Sequence, residues 1–444
     1  YPGAACDVPS HLYCYSFEPN PNWSRRYAKQ PEIKEYLEYC ANKYDILKYA
    51  KYSSKVVSMV YREKPQTWDV TLDNGNVISA NHVIHGGGGI HKPKIPEFKN
   101  LRKFQGKIMH TAQWNKHTEL KNKNIGIIGS AASAIQVIPE IAKVAKHLKV
   151  FQRTPNYIIP RGDRAYRMSE KRRFRKFPWL LKLLRWFLYM RLELITFPVI
   201  RKNSFTGKRA SKSIIKYMKS SIKNKSLREF FVPNYALGCK RILLSDTLFQ
   251  AINRDNVEVI TDKIVAFNED GITTSSLANH YFDVIIMATG FDIEGHMHSI
   301  KVIGKNNQSL SETWGKSAQA YKGSCVSGFP NFFMVTGPNT GAGTISLVHI
   351  IEQEVNFIVR LIKKVGTHSV IEVKNESLKK YNLDIQSKLN NTVWASGCSS
   401  WYLDKNNKNI TLYPEHGRSF KKQLSKIDMN DFVIKGKFQG IESP

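Results

Sequence analysis

The residues from 123 to 154 carry the clearest chemical signal in this sequence. Asn124-Ile125-Gly126-Ile127-Ile128 is a short apolar run rich in β-branched residues, the pattern of a buried parallel strand. Gly129 closes it. Residues 130–146 then place Ala134, Ile135, Ile138, Ile141, Ala142 and Ala145 at helical spacing, and Leu148-Lys149-Val150-Phe151 reads as a second strand. Strand, glycine turn, helix and strand make a βαβ unit of the kind that seats a dinucleotide pyrophosphate on a helix N-terminus. The glycine fingerprint is imperfect. Its three positions are Gly129, Ala131 and Ala134, and Ala131 adds a methyl where a pyrophosphate comes close to the backbone. Ser133 and Gln136 on the same helix join the cofactor-binding candidates. The second strand ends in Gln152-Arg153-Thr154, with a cation where an NAD site would carry an acid. An arginine there suits the 2′-phosphate of NADPH.

The elements around this unit can be placed in order. Residues 30–50 read as a helix with Pro31 in its first turn and Ile33, Tyr36, Leu37 and Cys40 on one face. Residues 55–84 are strand-like, with a hairpin turn at Asp73-Asn74-Gly75-Asn76, and end in four glycines, Gly86 to Gly89. Residues 257–290 repeat this plan: strands, a turn at Asp270-Gly271, then Asp283-Val284-Ile285-Ile286-Met287-Ala288-Thr289-Gly290. The repetition predicts two nucleotide-binding domains of related design. Residues 161–234 are helical and basic and read as an insertion. Beyond them come a strand at 331–335, a turn at 337–341, a helix at 345–364, and a polar stretch, 377–444, anchored by Trp394, Trp401 and Tyr402. The expected division is residues 1–118, a first domain's opening part; 119–280, a second domain with its insertion; and 281–444, the first domain's remainder.

The chain has 444 residues and a net charge of +31. Nucleic acid is the first partner such a charge suggests, but no nucleic-acid-binding motif accompanies it, and none is expected. Phosphorylated cofactors or an anionic membrane surface need less. Cys6, Cys14, Cys40, Cys239, Cys325 and Cys398 form no C-x-x-C pair and no metal-ligand spacing, so no metal is expected. The expectation is six reduced thiols in a cytoplasmic protein. Residues 177–200 are the most apolar stretch, interrupted by Lys182, Arg185, Arg191 and Glu193. They read as an amphipathic helix or helix pair, packed on the domain or lying at a membrane surface as a peripheral contact, and not as a span.

Further motifs carry a family resemblance. Phe104-x-Gly106-x-x-x-His110-Thr111-x-x-Trp114 resembles the signature F-x-G-x-x-x-H-x-x-x-W of flavin-dependent Baeyer–Villiger monooxygenases, with Asn115 in place of the usual Pro or Asp. Tyr1-Pro2-Gly3-x-x-x-Asp7 is similar to part of another signature of that family. Ala288-Thr289-Gly290-Phe291-Asp292 resembles its A-T-G-F-D segment, and Gly337-Pro338-Asn339-Thr340 its C-terminal FAD-contacting turn. The likeness runs from Tyr1 to about residue 420 and implies an α/β fold of two Rossmann-like domains, one for FAD and one for NADPH. In this family an FAD-binding βαβ with its own G-x-G-x-x-G precedes the Tyr1 segment, so residues 1–444 alone are expected to hold FAD weakly or not at all.

The resemblance also implies a chemistry. NADPH reduces FAD, reduced FAD reacts with O2, and an anionic C4a-peroxyflavin inserts one oxygen beside a ketone carbonyl to give an ester or lactone. Arg241 resembles the family's active-site arginine, and Asp7 the acid that positions it. Lys240, with Arg153 and Thr154, would hold the 2′-phosphate. Ala288, Thr289, Gly290 and Asn339 would contact FAD, and Trp401 the nicotinamide side. Phe104, Gly106, His110 and Trp114 form a signature hinge between domains, with His110 coupling their motion rather than moving a proton. The alternatives are an amine- or sulfide-oxygenating flavin monooxygenase of the N,N-dimethylaniline type, which would not need Arg241, and a non-catalytic NADPH-binding remnant.

Overall fold

Five parallel strands surround the fingerprint strand. Their order is Val257–Ile260, His147–Phe151, Asn124–Ile128, Val284–Met287, Lys107–His110. The computed structural model describes residues 1–292, 300–315 and 317–436. Register sets the function of this sheet. Ile128 pairs with Phe151 and with Met287, Met287 with His110, and Phe151 with Ile260. The strands therefore end in one row, and the segments that leave them, Gly129, Gln152-Arg153, Ala288 and Thr111, emerge at the same carboxyl edge. That edge is where open α/β sheets bind ligands.

The fingerprint helix, Ala132–Ile141, buries Ala134, Ile135, Val137, Ile138 and Ile141 against this sheet, together with Phe249 and Ile252. A second apolar cluster under the Ile264–Phe267, Gly271–Thr274 and Asn279–Tyr281 meander holds Phe104, Phe151, Phe267 and Phe282. The expected basic insertion is helical: Met168–Lys176, Pro178–Ile200, Phe205–Ser221 and Lys225–Phe230.

The rest of the chain builds the other unit. Val56–Arg62, Thr67–Leu72 and Val77–Ala80 form a meander joined by Lys301–Ile303, and Val83–His85 pairs in parallel with Phe332–Met334. The Leu347–Val365 helix buries Ile350, Phe357, Ile358 and Leu361 over these strands. The repeated plan of meander followed by a parallel strand is therefore present twice.

Three sequence expectations change. The first helix is shorter, Gln30–Lys43, because the chain turns at Asp45 with φ 51°. The fingerprint sheet takes in Lys107–His110 and Val284–Met287, residues that the boundaries at 118 and 280 put in the other unit. Long-range parallel pairing decides that membership, and a linear pattern does not report it. The polar tail holds two helices, Asn375–Leu389 and Gly417–Ser425, and the strand Phe432–Lys435; its residues 437–444 lie outside the described residues.

Candidate active site at the carboxyl edge of the parallel sheet

Gly129 makes the turn that the fingerprint requires. Its φ is +121°, and a Cβ there would stand 2.3 Å from the Ala288 carbonyl oxygen. Only glycine fits, since both the left-handed backbone and the close approach exclude a side chain. Ala131 adopts an ordinary extended conformation, φ −86° and ψ −162°, with its methyl exposed, so the departure from glycine strains nothing in the turn. No side chain caps the Ala132–Ile141 helix. Its first N–H groups are thus left for an anion, as a pyrophosphate site demands. Ser130 Oγ donates to Thr154 O at 3.3 Å, and Asn156 Nδ2 donates to Ser130 O at 3.0 Å, tying the phosphate turn to the Arg153-Thr154 segment.

Two cations converge beyond that turn. Arg153 is exposed, and neither it nor Lys240 is in an ion pair among the described residues. Lys240 lies with its Nζ 4.9 Å from the centre of the Tyr235 ring. Its pKa is depressed, first by desolvation and then by the positive field of Arg153. Like charges held together without a counter-ion fit a phosphate between them, and the site fits NADPH on this ground.

Arg241 and Asp7, 234 residues apart, are in contact. The guanidinium donates through Nε to Asp7 Oδ2 at 3.1 Å and through Nη2 to the same oxygen. Partial desolvation works against the charged form, but Asp7, Tyr402 and Tyr13 outweigh it and raise the pKa of Arg241. Arg241 is 45% exposed and Asp7 30%, so the pair contributes little stability, while Asp7 holds the guanidinium in one orientation. The Asp7 segment is itself docked on the fingerprint helix. Gly3, at φ +82°, lies so close to it that a Cβ would stand 2.3 Å from Gln136 O. Gln136 donates to Ala5 O at 2.9 Å and accepts from the Tyr1 hydroxyl at 2.9 Å. The Gln136 amide thus anchors the Asp7 loop instead of pointing at a cofactor, and Ser133 lies beside Tyr1 on the same face.

Cys239 is joined to Cys398 by a disulfide, against the expectation of six free thiols. The two are 159 residues apart, a pairing that local cysteine spacing cannot reveal. The bond fastens the Lys240-Arg241 loop to the loop carrying Trp401. Trp394 Nε1 donates to Gly238 O at 3.0 Å across the same junction. Trp401 is 41% exposed and packs on Tyr402, with ring centres 4.5 Å apart. Cys6, Cys14, Cys40 and Cys325 are free and buried.

The remaining candidates divide. Gly290 has φ +88° and open space where its Cβ would be, so a ligand can approach its backbone, whereas Thr289 Oγ1 is spent on Lys94 O at 2.6 Å. Ala288 continues the sheet, its N–H donating to Ile128 O. His110 is buried beside the Phe291 ring. Its Nδ1 accepts from Ala112 N–H at 3.0 Å, so Nε2 carries the proton, and that atom has no hydrogen-bond partner. Burial lowers the His110 pKa, opposed by the nearby Gly290 backbone. The lowered pKa favours the neutral ring. Phe104 is core, and Gly106 is glycine because a Cβ would meet the Phe104 ring at 2.4 Å; Trp114 is half-buried against the fingerprint sheet. Asn339 differs from expectation. Its side chain is buried and its Nδ2 donates to Asn409 O and Leu412 O at 2.8 and 3.1 Å, so this amide N–H group holds the 409–412 loop and leaves Oδ1 and the turn's backbone for a cofactor.

Sequence reasoning missed Tyr13 and Tyr402, which flank Arg241, and Glu354 beneath the Gly337–Thr340 turn. Glu354 is fully buried, accepts from Thr336 N at 2.9 Å, and is pushed up to about 8 by desolvation. No metal-binding cluster of His, Cys, Asp or Glu occurs among the described residues.

The flavin-binding monooxygenase-like family model matches residues 4–311. A Baeyer-Villiger monooxygenase of Pseudomonas aeruginosa is 37% identical over 98% of this chain and 83% of its own length; one of Streptomyces coelicolor is 32% identical over 98% and 84%. Among solved structures, an oxidized steroid monooxygenase bound to NADP superimposes with a TM-score of 0.85 at 27% identity, and a cyclohexanone monooxygenase from Rhodococcus bound to NADP+ with 0.87 at 25%. Each comparison covers 98% of this chain and 91% of the other.

Proposed function

Because the chain belongs to the flavin-binding monooxygenase-like family, we propose that it is an FAD- and NADPH-dependent Baeyer–Villiger monooxygenase. It takes small-molecule ketones and O2 and yields esters or lactones. The observation that carries this reading is the contact of Arg241 with Asp7 beside a dinucleotide site. FAD, reduced by NADPH and reoxidised by O2, supplies the oxygen chemistry when bound.

The chain's own residues do the rest. The uncapped helix start after Gly129 receives the NADPH pyrophosphate, and Arg153 and Lys240 take the 2′-phosphate. Gly290 and the backbone of the Gly337–Thr340 turn offer contacts to FAD. Arg241 keeps a fixed positive charge in the cleft, where it favours oxygen that is anionic over oxygen that is protonated. A lysine would not serve as well, since partial burial lets it lose its proton and an arginine keeps it. Asp7 holds the guanidinium in one orientation without discharging it. His110, neutral and short of one hydrogen-bond partner, couples the fingerprint sheet to the Gly290 segment as a positioning residue.

The test is NADPH consumption by the FAD-loaded protein with cyclic, linear and aromatic ketones, with the products identified by mass. Oxidised ester or lactone, formed in proportion to NADPH used, is the expected result. Amine or sulfide oxides formed from corresponding substrates, with ketones untouched, would replace this reading with that of an N- or S-oxygenating enzyme.

A further inference from the structure

The Pro178–Ile200 helix leaves a large apolar face uncovered. Trp179, Leu183, Trp186 and Phe187 recur at i, i+4, i+7 and i+8, opposite the buried Leu181. They are 61, 51, 59 and 56% exposed. Farther along, the inward face shifts to Glu193 and Ile200, and Leu194 and Ile195 stand out at 64 and 58%. The four side chains from Trp179 to Phe187 form one contiguous patch, and such a patch in water marks a binding surface, whereas scattered apolar side chains do not.

Charge indicates the partner. Lys171, Arg172, Arg173, Arg175 and Lys176 lie on the helix immediately before, and Lys182 and Arg191 border the apolar stripe on either side. None of these seven is in an ion pair among the described residues. The acids of these two helices are turned away. Glu170 is taken by Arg164 at 2.8 Å, and Glu193 is buried, accepting from Gly417 N at 2.9 Å. A protein partner of mixed charge would leave such an uncompensated basic rim unmatched, and an anionic bilayer would not. Tryptophan suits the headgroup level, and Lys182 and Arg191 can extend toward phosphates while their stems lie on apolar surface. No helix among the described residues is long and apolar enough to cross a membrane, so a bilayer contact by this one would be at the interface.

We propose that the Met168–Lys176 and Pro178–Ile200 helices form a docking surface for an anionic lipid bilayer. The helix inserts its aromatic stripe at the headgroup boundary, and the basic helix adds long-range attraction. This placement is independent of the Arg241 chemistry, so it stands or falls without the ketone reading.

The experiment is co-sedimentation of the full chain with vesicles of phosphatidylcholine alone and of phosphatidylcholine with phosphatidylglycerol at about 2:1. The expected result is binding to the anionic vesicles at least tenfold tighter than to the neutral ones, weakened by salt. The Trp179→Ser/Leu183→Ser/Phe187→Ser variant should lose at least tenfold in that binding. It should retain its circular dichroism and its NADPH affinity, because the three side chains are exposed. Lys171→Gln/Arg172→Gln/Arg175→Gln should remove the preference for anionic lipid. Failure of the unaltered chain to sediment with anionic vesicles, or equal binding by the serine variant, would overturn the proposal. So would sedimentation velocity showing an oligomer that the serine variant dissolves, since a second copy would then cover the face.

Discussion

Removing the two cations beyond the phosphate turn should separate NADPH from NADH. The two cofactors differ by the 2′-phosphate, and Arg153 and Lys240 are the groups placed for it. A charge-assisted hydrogen bond contributes about 1.5–3 kcal/mol when well formed. Arg153 is exposed, so its share falls toward about 1 kcal/mol, roughly fivefold in affinity. Lys240 is half-buried and less screened, so about 2 kcal/mol, or roughly 30-fold, is expected. The two are coupled, because the Arg153 field depresses the Lys240 pKa. The pH dependence follows in sign. NADPH binding uses protonated Lys240, so affinity is full at low pH and falls as pH rises through a pKa set below that of an ordinary lysine. Arg153→Ala removes the neighbouring charge and moves that midpoint upward. The assay is titration of NADPH and NADH by calorimetry on unaltered protein, Arg153→Ala, Lys240→Met and the double variant, over pH 7 to about 10. NADPH alone should weaken. Parallel weakening of both cofactors, or no change in Lys240→Met, would refute the assignment.

Three further outcomes follow from the same geometry. Gly129→Ala adds a left-handed backbone cost and a clash with the Ala288 carbonyl, together about 3 kcal/mol, which calorimetry should read as a fall in Tm of roughly 3 °C for a chain of this size; Gly75→Ala, at φ +86° with nothing within 4 Å, should cost about 1 kcal/mol. Thiol titration of the denatured, unreduced protein should find the four free cysteines, and Cys398→Ser should lower stability by about 2–5 kcal/mol while loosening NADPH binding through the Lys240 loop; six titrating thiols would deny the crosslink. Glu354, raised to about 8 in the folded protein, binds a proton that the unfolded chain releases near its ordinary value, so stability is full at low pH and falls as pH rises toward 8. Glu354→Gln should flatten that slope in Tm measured against pH.

Much of the site was legible because its signals are local. The run from Asn124 to Phe151 showed strand, turn and helix through periodicity, and Gly129 proved to be a glycine for the reason a dinucleotide turn requires. The cation at position 153 stood at a fixed distance from that turn. What the sequence withheld was long-range. Nothing near Val284 says that its strand pairs with Asn124–Ile128, and nothing near Cys239 points 159 residues ahead. Gln136 and Asn339 matched a pattern by position, yet the fold spends their amides on Ala5 and on the 409–412 loop. Tyr402 was within reach, one residue from Trp401, but its importance arises from burial beside Arg241, which only packing decides.

The most direct measurement is the ratio of ketone to sulfide oxygenation in Arg241→Ala and Arg241→Lys, with NADPH binding recorded alongside. Ketone oxygenation should fall by about 10²–10³-fold in both variants, as expected for loss of a preorganised charge, while sulfide oxidation and NADPH affinity persist. Ketone oxygenation at the unaltered rate in either variant, or loss of both oxygenations in equal proportion, would contradict the role assigned to Arg241.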